Sequence, residues 1–253
     1  MFLSCLFFIK DFHNTIKHPL KYIFFFYFNW QKKLHIQFYT IIALTKNEET
    51  HLVEILNGIK HKYTNIILLQ LYTGARIGEI LALTKDCINL SDNTITIYRT
   101  ITRSYTIEGT KRIERRILGE HTKTFDKKTG IDKGKRTFPM TKNVQDIISD
   151  ILTCRIDNKY NLLFYDYIHN SLVCDNSINS FLNRLNKKYN ICNGSLHTHK
   201  LRHTFITRCQ EKGLSLPVIQ NLVGHVEGSS ITTSIYTSIS FDFIYQELQK
   251  LMQ

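Results

Sequence analysis

Prolines number only three and glycines eleven in this chain of 253 residues, too few for a long flexible linker or a low-complexity region. No apolar run approaches the roughly 18 residues a membrane-spanning helix requires. Six cysteines (Cys5, Cys87, Cys154, Cys174, Cys192 and Cys209) lie scattered with no Cys-x-x-Cys pair. That spacing excludes a disulfide framework and a ligand-like metal motif, and reads as reduced cytosolic thiols. There is no internal repeat. Carboxylates are scarce too, 21 Asp and Glu against 33 Lys and Arg, and none are clustered as a divalent cation would need.

What is abundant is positive charge and apolar surface. The formal net charge is +12 and the sequence pI about 9.4, a balance suited to a polyanion, nucleic acid before anionic membrane. With 43% hydrophobic residues the chain can bury one sizeable core. Residues 1–42 differ from the rest. MFLSCLFFIKDF and KYIFFFYFNW are aromatic-rich runs interrupted by Lys10, Asp11, His13, Lys17 and Lys21. A signal peptide needs a basic start, an unbroken apolar centre and a small-residue cleavage site. Here the apolar run comes first and no such site follows, so no membrane role is expected.

From residue 43 onward the pattern is that of a folded domain. Thr45-Lys46-Asn47-Glu48 is a capping box, followed by Leu52, Val53, Leu56 and Ile59 at helical spacing. Ile66–Tyr72 reads as an apolar helix stopped by Thr73-Gly74, and Arg76–Leu83 as a short helix with Ile77, Ile80 and Leu81 inward. Thr94–Ile101 alternates at the strand period; with Lys111–Leu118 and Arg136–Met140 it is expected to form a three-stranded antiparallel sheet. Asn143–Leu152 reads as a helix. So does Asp175–Tyr189, capped by Asp175 or Ser177, with Ile178, Phe181, Leu182 and Leu185 as its stripe. His199–Lys212, ended by Gly213, and Leu216–Val223, with Pro217 in its first turn and Gly224 at its end, follow. Two short helices are expected to carry Tyr236 and Phe241–Leu251. The fold class is α+β, mostly α, with the small sheet at one edge.

Five short words carry the chemistry: TGARIGEI (73–80), TKT (122–124), HKLRH (199–203), LVGH (222–225) and SIYTS (234–238). They supply Arg76, Lys123, His199 with Arg202, His225 and Tyr236. Guanidiniums grip phosphate oxygens bidentately, lysine and histidine move protons, and a phenol can attack phosphorus. Glu79, one turn after Arg76, can orient it by an i,i+3 ion pair. His199 and Arg202 share a helix face at i,i+3, within reach of one phosphate. His199 and His203 also have the i,i+4 spacing of a metal pair, but Arg202 between them would repel a cation and no third ligand is near. His203 is expected to pack or hydrogen-bond behind the site. No metal or cofactor is expected.

The order of these words resembles the catalytic domain of the tyrosine recombinase (phage integrase) family, whose pattern runs Arg, Lys, His-x-x-Arg, His or Trp, Tyr. The resemblance covers roughly residues 43–245 and divides the chain into an atypical N-terminal segment, 1–42, and a catalytic domain, 43–253. Family members usually carry a helical core-binding domain first; forty residues are too short for one, so the segment reads as a remnant. The resemblance implies a helical integrase-type catalytic domain that breaks and rejoins DNA strands. Tyr236 would be the nucleophile, forming a 3′-phosphotyrosine. Arg76 and Arg202 would hold the phosphate with His199 and His225, and a hairpin lysine would protonate the leaving 5′-hydroxyl. TKT matches that hairpin best and selects Lys123, with Lys128 and Lys133 remaining open because extra residues blur the register. Tyr245 competes with Tyr236 but falls in the final helix. The interval from His225 to Tyr236 is a residue or two longer than the family's, with Gly228-Ser229 as the apparent insertion.

The implied partners are double-stranded DNA, four protomers on two duplexes, with the tail after Phe241 docked on a neighbour, and an accessory directionality factor. The implied location is cytoplasmic, on the nucleoid. Two other readings stand beside this one: a catalytically silent DNA-binding remnant, and a type IB topoisomerase-like enzyme relaxing DNA alone.

Overall fold

The computed structural model describes residues 43–224 and 241–252. The segment 1–42, His225 and Tyr236 lie outside the described residues. Helix α1 (Lys46–Asn57) starts at the expected capping box. Glu48 N–H donates to the Thr45 hydroxyl at 3.3 Å, and Thr45 N–H to the Glu48 carboxylate at 2.7 Å. Helix α2 (Thr64–Thr73) is apolar on every side because it runs through the core, burying seven of its ten residues. It stops at Gly74, whose φ of 63° is left-handed. Helix α3 (Ile77–Leu81) follows after a three-residue turn, Gly74 to Arg76, and Lys85–Cys87 adds a 3₁₀ turn.

The three-stranded sheet exists, but with a different membership from the one its alternation suggests. Its order is β1 (Ile88–Asn89), β2 (Thr94–Ile97), then β7 (Arg136–Pro139), all antiparallel. Ile95 pairs with Phe138 and both turn into the core, while Thr96 and Thr137 share a hydroxyl contact of 2.8 Å on the other face. Lys111–Leu118 is not in this sheet. It forms β4 of a separate hairpin with β3 (Ile101–Glu108). The predicted strand Thr94–Ile101 breaks because the chain leaves the sheet to cross α3. The Ile101 carbonyl lies 2.4 Å from where a Cβ on Gly78 would sit, an approach only glycine permits.

The β3–β4 hairpin is anchored near its base by Asp175. Arg103 Nε donates to that carboxylate at 3.1 Å, and Arg116 Nη2 pairs with it at 2.9 Å. Burial pushes the Asp175 carboxyl up, but bonds and charges from Arg103 and Arg116 outweigh it and hold it below the usual range. Asp175 therefore spends its oxygens on the hairpin rather than on helix α5 (Asp175–Tyr189), whose N-cap position is Cys174 with no side-chain cap. A third small hairpin, β5 (Phe125–Asp126) and β6 (Ile131–Asp132), precedes β7.

Helix α4 (Lys142–Cys154) buries Val144, Ile147, Ile148 and Ile151, and α5 buries its predicted stripe Ile178, Phe181, Leu182 and Leu185. Helix α6 (Thr198–Glu211) packs on α2, and α7 (Leu216–Val223) ends at left-handed Gly224. One hydrophobic cluster gathers side chains from all these helices and the sheet, each fully buried Leu or Ile contributing about 1.5–3 kcal/mol. The last helix, α8 (Phe241–Gln249), is followed by a 3₁₀ turn, Lys250–Met252. It buries Ile244 and Leu248 against its own domain, next to β7, and the Glu247 carboxylate accepts from Ser215 N–H at 2.9 Å. Within this single chain the tail helix packs in cis. An amphipathic helix with an apolar stripe is satisfied by whichever surface covers it.

Candidate active site

The site begins with the turn between α2 and α3. The Gly74 φ of 63° swings the chain back so that its Cα lies against the Phe205 ring of α6, where an added Cβ would sit 2.2 Å from Phe205 Cδ1. That contact draws α6 onto the turn. One helical turn before Phe205, Arg202 is only 8% exposed, and its Nη1 donates to the Gly74 carbonyl at 2.8 Å. Desolvation, aided by the charges of Arg76 and Arg136 and opposed by Glu79, lowers the Arg202 guanidinium to about 10. A buried cation short of counter-charge favours an arriving anion.

Arg76 is the N-cap residue of α3. Its N–H donates to Glu79 Oε2 at 2.9 Å, the returning half of a capping box; an arginine side chain has no acceptor to supply the other half. Its Nη1 donates to Glu79 Oε1 at 3.1 Å and to the Gly224 carbonyl at 3.1 Å. Among the described residues, Arg76 Nε and Nη2 have no partner, and Arg202 donates only to Gly74. Both guanidiniums keep donors in hand for a ligand.

Arg136, at the start of β7, behaves differently. Its Nη2 donates to Glu79 Oε2 at 2.8 Å, its Nε to the Leu222 carbonyl at 2.8 Å, and its Nη1 to the Gly134 carbonyl at 2.9 Å. Glu79 is completely buried between Arg76 and Arg136. Burial pushes its carboxyl up, yet the two guanidiniums outweigh that and hold it below its ordinary value. Three arginines around one carboxylate leave an excess of positive charge. The carbonyls of Leu222 and Gly224 belong to the C-terminal end of α7, where helix carbonyls lack intrahelical donors. Two of these arginines supply them, so the chain is fixed at the residue before His225 in sequence.

Sequence reasoning missed Arg136 as a site residue, treating it as part of a strand. The available signal was the word R-T-x-P directly after the lysine hairpin. That hairpin is tied to the cluster through Asp132. Thr122 N–H donates to Asp132 Oδ2 at 2.8 Å, the Thr122 hydroxyl donates to Oδ1, and Gly134 N–H donates to Oδ1 at 3.0 Å. Lys123 is exposed between Thr122 and Thr124, whose hydroxyls lie 3.1 Å apart. Phe125 pairs with Asp132, so Lys123 and Lys133 flank the same end of the hairpin. Lys128 sits in the turn at the opposite end.

The histidines divide by position. His199 is exposed on α6, whereas Arg202 on the same helix is buried; the structure brings Arg76, Glu79 and Arg202 together and leaves His199 at the surface. The His197 Nδ1 accepts from Lys200 N–H at 3.3 Å, capping α6, and its ring lies 6.4 Å from that of His199. His203 is exposed too, rather than packed behind the site. Desolvation first, then the neighbouring His199 charge, lowers both His197 and His203, joined by Lys200 and His203 at the former and by Arg202 at the latter.

The described residues thus set two buried or half-buried arginines with unpartnered donors beside an anchored lysine hairpin, a donor set whose chemistry suits an oxyanion. Residues 43–242 match the model of the phage integrase family, and the chain belongs to that family. It is 26% identical over 214 residues to the tyrosine recombinase XerA of Thermococcus kodakarensis, covering 83% of this chain and 64% of the relative. It is 29% identical over 185 residues to the prophage ps2 probable integrase of Lactococcus lactis, covering 66% and 42%. Over 222 residues it is 26% identical to the transposase from transposon Tn916 of Enterococcus faecalis, covering 83% and 51%. The chain therefore spans between 42% and 64% of the length of these relatives. In fold it is similar to the Tn1549 transposon integrase solved in complex with circular intermediate DNA, with a TM-score of 0.59 at 22% identity, over 84% of this chain and 66% of that one. A crystal structure of XerA recombinase aligns with a TM-score of 0.52 at 21% identity, over 83% and 64%.

Proposed function

We propose that this chain is a site-specific DNA recombinase that breaks and rejoins strands through a 3′-phosphotyrosine. The observation that carries the reading is the placement of Arg76 and Arg202 around the α2–α3 turn, each with guanidinium nitrogens that have no partner among the described residues. Arg76 and Arg202 would neutralise the charge that builds on the non-bridging phosphate oxygens. His199 faces solvent and would join them at the phosphate from the DNA side. Tyr236 attacks phosphorus while its proton is taken up, and the 5′-oxygen leaves with a proton from Lys123. A 5′-hydroxyl of the partner strand then attacks the phosphotyrosine, so the bond energy is conserved through the exchange. His225 would donate to the phosphate or orient Tyr236.

Exchange between two duplexes calls for four protomers, and the reading extends to that tetramer, an accessory directionality factor and a cytoplasmic, nucleoid-associated setting. The relatives named as integrases and transposases support a role in a mobile element.

A suicide-substrate trap tests it. A nicked duplex carrying the element's end is incubated with the protein and run on a denaturing gel. A protein–DNA adduct that disappears in Tyr236→Phe, with DNA binding retained, is the expected result. DNA binding with no adduct from the wild type would instead make the chain a silent DNA-binding protein. Relaxation of supercoils by a demonstrated monomer would favour a type IB topoisomerase.

A further inference from the structure

We propose that Arg136 is a positioning residue that holds Arg76 in its phosphate-ready geometry and couples it to both flanking segments of the site. The inference rests on the reading of Arg76 as a phosphate ligand and deepens it. Arg136 is not a ligand itself. Its Nε, Nη1 and Nη2 are all committed to protein acceptors, at 2.8, 2.9 and 2.8 Å, and it is only 6% exposed. Arg76 and Arg202 have the opposite character, with guanidinium nitrogens that have no partner among the described residues.

The consequence follows from how one carboxylate is shared. Glu79 offers Oε1 to Arg76 Nη1 and Oε2 to Arg136 Nη2 and the Arg76 N–H. Because Arg136 and the Arg76 N–H occupy Oε2, the Arg76 side chain does not close a two-pronged bond on Glu79, and its Nε and Nη2 have no partner among the described residues. Without Arg136, Glu79 would be buried against a single guanidinium. The fork geometry of carboxylate and guanidinium then favours the bidentate pair, which withdraws a further Arg76 donor from a phosphate.

The other two bonds of Arg136 run outward. The one to Gly134 reaches the Asp132 clasp that holds Thr122, the residue before Lys123. The one to Leu222 reaches the end of α7, two residues before Gly224. Gly224 must be glycine there: its φ is 61° and a Cβ would sit 2.5 Å from Arg136 Nη1. One side chain therefore spans the lysine hairpin, the arginine turn and the C-terminal end of α7.

The test compares Arg136→Ala and Arg136→Lys with wild type in two assays, thermal melting being recorded for each. In the first, adduct formation on the nicked duplex is followed at saturating DNA, separating rate from amplitude. Arg136→Ala is expected to slow the rate about 100-fold or more, the scale of losing one oriented donor, with DNA affinity nearly unchanged. Arg136→Lys, which keeps the charge, recovers part of the rate. If Arg136 only supported the fold, amplitude would fall with the folded fraction and the surviving protein would react at the wild-type rate. In the second, orthovanadate binding is followed by vanadium NMR. Arg136→Ala should weaken it about 10-fold, and add little in an Arg76→Ala background, because it acts through Arg76.

Vanadate binding that depends on Arg136 in a protein giving no adduct would remove the recombinase reading and keep this one. Equal adduct rates in wild type and Arg136→Ala, both folded, would overturn the positioning role and leave the recombinase reading intact. Unchanged vanadate affinity in Arg136→Ala alongside loss in Arg76→Ala would overturn it as well.

Discussion

Arg136 Nη2 donates to Glu79 Oε2 at 2.8 Å across 57 residues of sequence, and the two side chains are 4% and 0% exposed. Such a pair is costly to desolvate and costly to break. It persists because Arg76 shares the carboxylate and because backbone carbonyls accept from the other two Arg136 nitrogens, so each guanidinium nitrogen of the pair has an acceptor.

The first prediction concerns acid stability. The folded Glu79 carboxyl is held below its ordinary value of 4.5 by Arg136 and Arg76, despite burial. A carboxyl depressed by folding contributes stability that is present above its unfolded value and lost as pH falls through the folded one. Urea titrations should therefore show stability dropping below pH 4.5. Glu79→Gln should be less stable by about 3–5 kcal/mol at neutral pH, the scale of a broken buried pair, and should lose that acid-dependent component. An identical pH profile in the variant would disprove the assignment.

The buried Arg202 makes the second. Its guanidinium is lowered to about 10 mainly by desolvation, with repulsion from Arg76 and Arg136. A base lowered by folding penalises the charged folded protein at every pH below the folded value, and the penalty lifts only as pH rises through it. Arg202→Gln, which keeps a donor for the Gly74 carbonyl, should melt within about 1 kcal/mol of wild type or above it. Inorganic phosphate should raise the wild-type melting temperature by linkage and leave the variant's unchanged. A variant that melts far below wild type would show that Arg202 is a structural cation.

Gly74 and Gly109 form a controlled pair for the third. Both have φ near +60°, but a Cβ on Gly74 meets the Phe205 ring at 2.2 Å while one on Gly109 meets nothing within 4 Å. Gly109→Ala should cost about 1 kcal/mol, the backbone term alone. Gly74→Ala should cost roughly 1–3 kcal/mol more, the scale of overpacking. Equal losses in denaturant unfolding would mean that α6 does not depend on that contact.

The hairpin lysines supply the fourth, under the recombinase reading. A substrate with sulfur in place of the bridging 5′-oxygen leaves as a thiolate and needs no general acid. Lys123→Ala should slow cleavage of the ordinary duplex by about 10²–10⁴-fold, the contribution of a positioned acid, and be restored on the sulfur substrate. Lys128→Ala, at the far end of the β5–β6 hairpin, should cleave both at the wild-type rate. If Lys133→Ala instead shows the rescued defect, the role moves to the other strand of the same hairpin end.

Local signals were legible where the physics is local. The capping box at Thr45, the breaks at Gly74 and Gly224, the stripe of α5 and the limits of α7 depend on residues within a turn or two of each other. Sheet membership was not. Strand alternation in Lys111–Leu118 and Thr94–Ile101 states that a segment is extended, not which neighbour it pairs with, and the crossing over Gly78 separated them. The shared face of His199 and Arg202 was read from i,i+3 spacing alone. Spacing does not include the pull of Phe205 and the Gly74 carbonyl, which draw Arg202 inward and leave His199 exposed.

By itself the sequence determined the family, the helical elements and the order in which arginine, lysine, histidine and tyrosine words occur, because each is written in adjacent residues. Tertiary structure alone decided that Arg136 is the third arginine of the site. Its partners Glu79, Gly134 and Leu222 come from three separate segments of chain, and a buried charge is stabilised by whatever the fold brings within bonding distance.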